Sequence, residues 1–331
     1  FVILGLLLLG PLVARPIEEN LEIYCLLLGV AAVTLAGNWN WAIAQEALWD
    51  PVPISAAVIG AGGLFRYGRE YLRRALRLAA KRFPHRLLTA LIVAVVALVS
   101  SIITSIVAAL IMVEALQSLH LPKRVLTRVT VVGCMAIGLG ASLTPLGEPL
   151  STIAVDELNL EFFGLFTLLA PYVLPGIIGC AILAAFFSAN VEADFCQSQQ
   201  VSIETVSTIV LRGIKVFGFI AGLVLLGDAY APLASVYLKD LSAPVLFWVN
   251  VIGAALDNAT VVAIEIHGMP IPLAREVILS LLASGAMLIQ GNIPNIIAAG
   301  ALSISAKQWA RIGIPLGLTF LIIYFLSLRL V

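Results

Sequence analysis

The chain has 331 residues, 61% of them hydrophobic and only 11% charged, and its 19 Lys and Arg are balanced by 19 Asp and Glu. A soluble domain carries about 25% charged residues, so the composition predicts an all-α polytopic membrane protein, and the long unbroken apolar runs exclude the short alternating segments of a spanning barrel. The neutral balance gives no case for nucleic acid, and Cys25, Cys134, Cys180 and Cys196 lack CxxC or Cys/His metal spacing, which leaves them as small core residues or free thiols.

In chain order, helical spans are predicted over roughly 1–14, 21–37 and 51–65. The first could pass for a signal-peptide remnant, but no cleavage pattern is convincing and a span is the better reading. Trp39, Trp41 and Trp49 fall where an interfacial aromatic belt is expected, and Trp309 is expected to anchor the last span in the same way. Basic residues then crowd between Arg66 and Arg86, a density that marks a cytoplasmic segment. Within it Leu72, Leu76, Ala79 and Phe83 recur at helical spacing among the arginines, the pattern of a helix lying in the interface.

The next apolar run, about 87–116, is interrupted by Ser100-Ser101-Ile-Ile-Thr104-Ser105, and Lys123, Arg124 and Arg128 follow it. Basic flanks at both ends favour a hairpin that enters from the cytoplasm and returns to it over one long tilted helix. A broken span covers about 123–155, a further span 162–188, and an acidic linker, 189–206, is assigned to the cytoplasm. Beyond it come a span at about 208–227, a second hairpin at about 242–268, a broken span at about 271–304 and a last span at about 310–330. On this topology every Lys and Arg except Lys239, Arg275 and Arg329 faces inward, while Asp156, Glu157 and Glu161 fall outside; a bacterial-type inner membrane is the default.

The linker divides the chain into a first part, 1–188, and a second, 207–331, that share one order: a span, a lateral connection, a hairpin with a polar tip, a broken span and a final span. The second hairpin opens to the opposite side, which is what inverted-topology repeats produce. The first break reads Gly140-Ala-Ser142-Leu-Thr144-Pro145-Leu-Gly147-Glu148-Pro149-Leu-Ser151-Thr152 and the second Gly285-Ala-Met-Leu-Ile-Gln290-Gly291-Asn292-Ile-Pro294-Asn295. Both open with Gly-Ala and centre on a Gly followed by a polar residue and a nearby Pro. Gly147, Pro149, Gly291 and Pro294 are therefore expected to unwind the helices near mid-membrane, where freed carbonyls suit hard cations and half-helix N-termini suit anions. One such kink is commonly structural; two at matching positions point to a transport site.

The second hairpin carries Asp257-Asn258-Ala-Thr260 between apolar arms of about 245–256 and 259–266, each too short to cross a bilayer alone. An ionised Asp at such depth costs at least ~2.5 kcal/mol on insertion scales and argues for a cation or proton as partner. Glu265 and His267 sit toward the outer end of this hairpin, and Glu114 and His120 toward the cytoplasmic end of the first; for all four an interfacial charge is the ordinary expectation and a proton-relay role the sharper one. No nucleophile–base arrangement, phosphate loop or zinc ligand set is found, so neither an enzyme nor a resident cofactor is expected.

Two hairpins and two broken spans in inverted repeats resemble the ion transporter superfamily, which includes sodium/dicarboxylate symporters, citrate–metal transporters, arsenite permeases and D-type sodium/proton antiporters. Leu-Thr-Pro-Leu-Gly-Glu-Pro (143–149), Leu-Asp-Asn-Ala-Thr (256–260) and Gly-Asn-Ile-Pro-Asn (291–295) most resemble a small family of predicted cation transporters. The resemblance implies a homodimer in which a mobile domain, holding hairpins and broken spans, moves as an elevator against a scaffold. Asp257-Asn258 matches the Asp-Asn pair at a hairpin tip of the D-type antiporters, whereas the first tip has Ser100, Ser101 and Thr104 and is similar to the Ser/Thr/Asn-rich tips of carboxylate symporters.

The leading expectation is a secondary transporter that exchanges Na⁺, or another small cation, for H⁺ across the bilayer. Asp257, the candidate Na⁺ ligand, binds cation and proton in competition. Asn258, Thr260, Asn292 and Asn295 add oxygen ligands from one repeat, and Ser101, Thr104, Thr144 and Glu148 complete the site from the other. A cation-coupled symporter of a small carboxylate or oxyanion is the alternative, disfavoured because no Arg or Lys lies in the site. A structural membrane subunit would not need the repeated polar breaks, and a channel suits hairpins from opposite sides less well than alternating access does.

Overall fold

The computed structural model describes residues 2–14, 16–17, 20–119, 121–189, 206–237, 241–253, 258–266 and 269–330. Fifteen α-helices are built from them. The first four are α1 (Val2–Val13), α2 (Leu21–Ala36), α3 (Trp41–Trp49) and α4 (Pro51–Arg82). Next come α5 (His85–Ile103), α6 (Ser105–Ser118), α7 (Lys123–Ala141), α8 (Pro149–Glu157) and α9 (Gly164–Phe187). The remainder are α10 (Val206–Tyr237), α11 (Ala243–Gly253), α12 (Asn258–Glu265), α13 (Ile271–Gly285), α14 (Ile293–Leu302) and α15 (Ala306–Leu330), with a 3₁₀ turn at Ile289–Gly291. No strand occurs among the described residues. Five helices, α5, α7, α9, α10 as far as Leu233, and α15, are long and apolar enough to cross a membrane, so the chain has the make-up of an α-helical membrane protein.

Local chemistry sets the helix ends. Gly37, at φ 67°, closes α2 with bonds from Gly37 N–H to Thr34 and from Asn38 N–H to Val33, the paired closure that a left-handed residue permits. The Asn40 side chain accepts from Ile43 N–H at the start of α3. Pro51 and Pro149 open α4 and α8, where a missing N–H costs nothing. Lys123 Nζ donates to the carbonyls of Leu302 and Ser303 at 2.5 and 3.0 Å, which ties the start of α7 to the end of α14.

Packing places α7 and α13 at the centre, with every residue from Val129 to Ala141 and from Val277 to Gly285 buried. Contacts come in corresponding pairs. Helix α5 lies on α7 as α11 lies on α13; α9 lies on α7 as α15 lies on α13; and α4 touches α6 as α10 touches α12. The remaining pair crosses over: α6 packs on α14, and α12 packs on α8. Helix α2 runs along α10, where a Cβ on Gly29 would lie 2.5 Å from the Gly222 carbonyl oxygen, the backbone approach that small residues allow between membrane helices.

Several sequence expectations change here. The basic segment is no separate helix: α4 continues unbroken from Pro51 to Arg82, running through Gly62, Gly63 and Gly68 with no proline beyond Pro53 to stop it. The run at 87–116 is not one tilted helix but two, separated at Thr104, and α5 alone is long enough to cross a membrane. Trp309 is no interfacial anchor: it is fully buried, and its indole N–H donates to the Ala286 carbonyl at 3.1 Å. Cys25, Cys134 and Cys180 are buried and free. Cys196 and nearly all of the linker, together with His120, Asp257 and His267, lie outside the described residues.

Candidate functional site

Both predicted breaks occur. Helix α7 ends at Ala141 and α8 starts at Pro149; α13 ends at Gly285 and α14 starts at Ile293. Ser142 starts the first break by turning its hydroxyl back onto the Leu139 carbonyl at 2.7 Å, and Thr152 Oγ1 later reaches the Pro145 carbonyl at 2.6 Å. These bonds satisfy backbone groups that the helix ends leave open.

The two breaks match residue for residue at a spacing of 144. Leu143 N–H bonds to Gly140 as Met287 N–H bonds to Ser284, and Gly147 N–H bonds to Thr144 as Gly291 N–H bonds to Leu288. Glu148 and Asn292 are both extended N-cap residues, with φ −158° and −157°. Three positions on, Ser151 Oγ donates to the carbonyl of the last α7 residue, Ala141 (3.3 Å), and Asn295 Nδ2 to that of the last α13 residue, Gly285 (2.8 Å). Even the closing residues agree: Asn159 and Ser303 take φ of 49° and 50° at the ends of α8 and α14. The shared Gly-Ala pair is out of register by one, since Gly140 corresponds to Ser284 and Ala141 to Gly285.

The turn between α5 and α6 is stitched to the first break. Ser105 N–H donates to the Gly147 carbonyl at 2.8 Å, Thr144 Oγ1 donates to the Ser101 carbonyl, and Ser100 Oγ reaches the Ile137 carbonyl at 3.0 Å. Gly140 makes this fit possible, because a Cβ there would lie 1.7 Å from the Ala97 carbonyl oxygen. Thr104, half-buried at the tip, holds φ 73° and ψ 149°, a region that glycine occupies and a β-branched residue avoids.

The start of α12 meets the second break through Asn258, which is 6% exposed. Its Nδ2 donates to the Leu281 carbonyl at 3.1 Å, and a Cβ on Gly285 would lie 2.3 Å from that nitrogen. Asn295, fully buried, spends its Nδ2 on the Gly285 and Leu288 carbonyls at 2.8 and 2.9 Å. Carbonyl acceptors fix both amides, since a flipped amide would set oxygen against oxygen. The atoms left over are Asn258 Oδ1 and Asn295 Oδ1, both buried with no hydrogen-bond partner among the described residues.

The clusters join where Asn292 Nδ2 would meet a Cβ on Gly138 at 3.1 Å and Cys134 Sγ donates to the Pro294 carbonyl at 3.5 Å. The structure thus brings Ser101, Thr144, Gly147, Asn258, Asn292 and Asn295 around the paired helix breaks. Glu148 is buried at the start of α8, the helix that packs on α12. Pro294 is buried, whereas Pro149 is exposed. Asp257 and the side chain of Thr260 lie outside what is described. Ser105, Ser151 and Gln290 stand in the polar runs of the sequence but were not among the candidate ligands; Ser151 is legible as the counterpart of Asn295 once the 144-residue register is applied. Glu114 on α6 and Glu265 on α12, expected as interfacial charges, are each only 6% exposed.

Amide, hydroxyl and main-chain oxygens, which gather here at buried helix ends, are the ligand types that hard cations take. A comparison with curated proteins returns no match. The family match covers residues 1–331, the whole chain, and the protein belongs to DUF1646, a family described as protein of unknown function.

Proposed function

We propose that the chain is a secondary active transporter that exchanges Na⁺ or another small cation for H⁺ by elevator-type alternating access. The observation that carries this reading is the pair of orphaned amide oxygens, Asn258 Oδ1 and Asn295 Oδ1, each turned away from the α13 carbonyls that hold its nitrogen. Buried oxygens without donors are costly, and a bound cation satisfies them. Asp257, which precedes Asn258 in sequence, supplies the anionic ligand and the competition between cation and proton. Main-chain carbonyls of the breaks complete the site, with Thr144, Ser101, Thr104, Thr260 and Asn292 around it. Glu148 at the N-cap of α8 adds negative charge and opposes an anionic substrate there.

The paired contacts and the 144-residue register support two repeats, and the crossed packing of α6 on α14 and α12 on α8 supports their inverted relation. Hairpins fastened to the breaks form the moving body of a homodimer in a bacterial-type inner membrane, with the basic segment at 66–86 in the cytoplasm.

The test is a proteoliposome assay: impose a pH gradient, add Na⁺, Li⁺, K⁺ or Ca²⁺ in turn, and follow the gradient with a pH dye. Dissipation by one cation, lost in Asp257→Asn, is expected. A chain silent to every cation sinks the exchange reading and directs the work to labelled carboxylate uptake in a cation gradient.

A further inference from the structure

Glu265 has no part in the site above. It lies on α12 in the series Asn258, Val261, Val262 and Glu265, all buried, which places it on the face that carries Asn258, about 10 Å along the axis. Two other helices, α11 and α13, supply its surroundings. Asn250 of α11, 2% exposed, donates Nδ2 to Glu265 Oε2 at 3.0 Å and to Ser280 Oγ of α13 at 2.9 Å. Ser280, fully buried, passes its own proton to the Val277 carbonyl at 2.7 Å. The second carboxylate oxygen, Oε1, is buried without a partner among the described residues.

No basic group among the described side chains compensates it. Helix α11 has no ionisable side chain. On α13, Arg275 stacks on the Tyr172 ring at 5.2 Å, and Glu276 is paired with Arg329 at 2.8 Å. On α10, Lys215 is paired with Glu22, Asp228 faces Glu46 and Asp50, and Arg212 has no described side chain. Helix α8 carries Asp156 and Glu157, which add negative charge only. A buried carboxylate with one neutral donor and no cation is too costly to keep as an anion.

We infer that Glu265, held by Asn250 against Ser280, is a proton-binding station separate from the Asn258 tip, on the same face of α12. The inference rests on the transport reading for its purpose, though not for its test. Binding and release are a plain acid–base step: the carboxyl O–H bond breaks at Oε1, the proton passes to water, and the carboxylate stays on Asn250. Because α12 joins both stations, charge at Glu265 and occupancy beside Asn258 bear on one helix.

Infrared titration of the full chain in lipid, from acid to alkaline bulk pH, tests this. A buried carboxylic-acid C=O band that disappears reversibly as pH rises, is absent in Glu265→Gln and persists in Asp257→Asn is expected. Asn250→Ala, which removes the donor on the acid, is expected to shift the same band and serves if Glu265→Gln does not fold. A band that persists at every pH marks a permanently protonated structural acid and overturns the inference, as does a spectrum that Glu265→Gln leaves unchanged. Liposomes silent to every cation beside a titrating Glu265 band count against exchange and leave this station standing; active exchange without the band does the reverse.

Discussion

The breaks at 142–148 and 286–292 follow one backbone plan with opposite fillings. The first is closed by hydroxyls, from Ser142, Thr144, Ser151 and Thr152, and each of these donates to a main-chain carbonyl. A hydroxyl has one proton to give and leaves no rigid oxygen aimed elsewhere. The second break is held by amides, and an amide that donates at one end must present an oxygen at the other. Asn295 does this, and Asn258 repeats it from the start of α12. The first break therefore spends its hydroxyl protons on main-chain carbonyls, while the amides at the second leave Asn258 Oδ1 and Asn295 Oδ1 without a partner among the described residues.

The sharpest way to break this comparison is to move one residue across it. Ser284 stands in the second half where Gly140 stands in the first. Gly140→Ser puts a Cβ 1.7 Å from the Ala97 carbonyl oxygen, so α5 must leave α7. The cost is expected to exceed ~3 kcal/mol, the upper range of overpacking, and to abolish the folded monodisperse protein in detergent. The reverse trimming, Ser284→Ala, removes one 3.1 Å bond to the Leu281 carbonyl and is expected to stay within about 1 kcal/mol in the same thermal-unfolding assay.

The next effect separates the fillings. Asn295→Ala deprives two buried carbonyls, Gly285 and Leu288, of a donor and should cost about 2–4 kcal/mol. Ser151→Ala removes a single 3.3 Å bond at the corresponding place and should cost less than about 1 kcal/mol. Equal losses in denaturant titrations would mean that the breaks are equivalent and that the amides have no special standing.

Much of this architecture was legible in the sequence, because Gly-x-Pro interruptions act on the backbone directly. Gly147-Glu148-Pro149 and Gly291-Asn292-Ile293-Pro294 located both breaks, and the polar run at 100–105 located the end of α5 at Thr104. The Gly-Ala pair misled the register because any small residue allows close helix approach, so Gly140 matches a serine rather than a glycine. The burial of Glu265 was hidden for another reason. Its surroundings come from Asn250 and Ser280, on two other helices, and a charge near the end of an apolar run looks interfacial until those helices are placed around it.

The smallest expected effect concerns the first hairpin tip, where the chain turns at a threonine held at φ 73°. A β-branched residue in that region costs about 1–3 kcal/mol, and its hydroxyl returns little, since the cap to Val107 N–H spans 3.5 Å. Thr104→Gly removes the strain but adds unfolded-state entropy of about 0.4–1 kcal/mol, so stability should rise by up to about 1 kcal/mol. Thr104→Ala keeps the strain, loses the cap and should fall by about 0.5–1 kcal/mol. The difference between these variants isolates the backbone, because both lack the hydroxyl. If Thr104→Gly gains stability while losing cation-driven proton movement in liposomes, the strained tip serves transport and the first half of the molecule also takes part in the cycle. If both properties follow the loss of the hydroxyl equally, the tip acts through its side chain, and its departure from ordinary backbone geometry is only the consequence of closing a one-residue turn between α5 and α6.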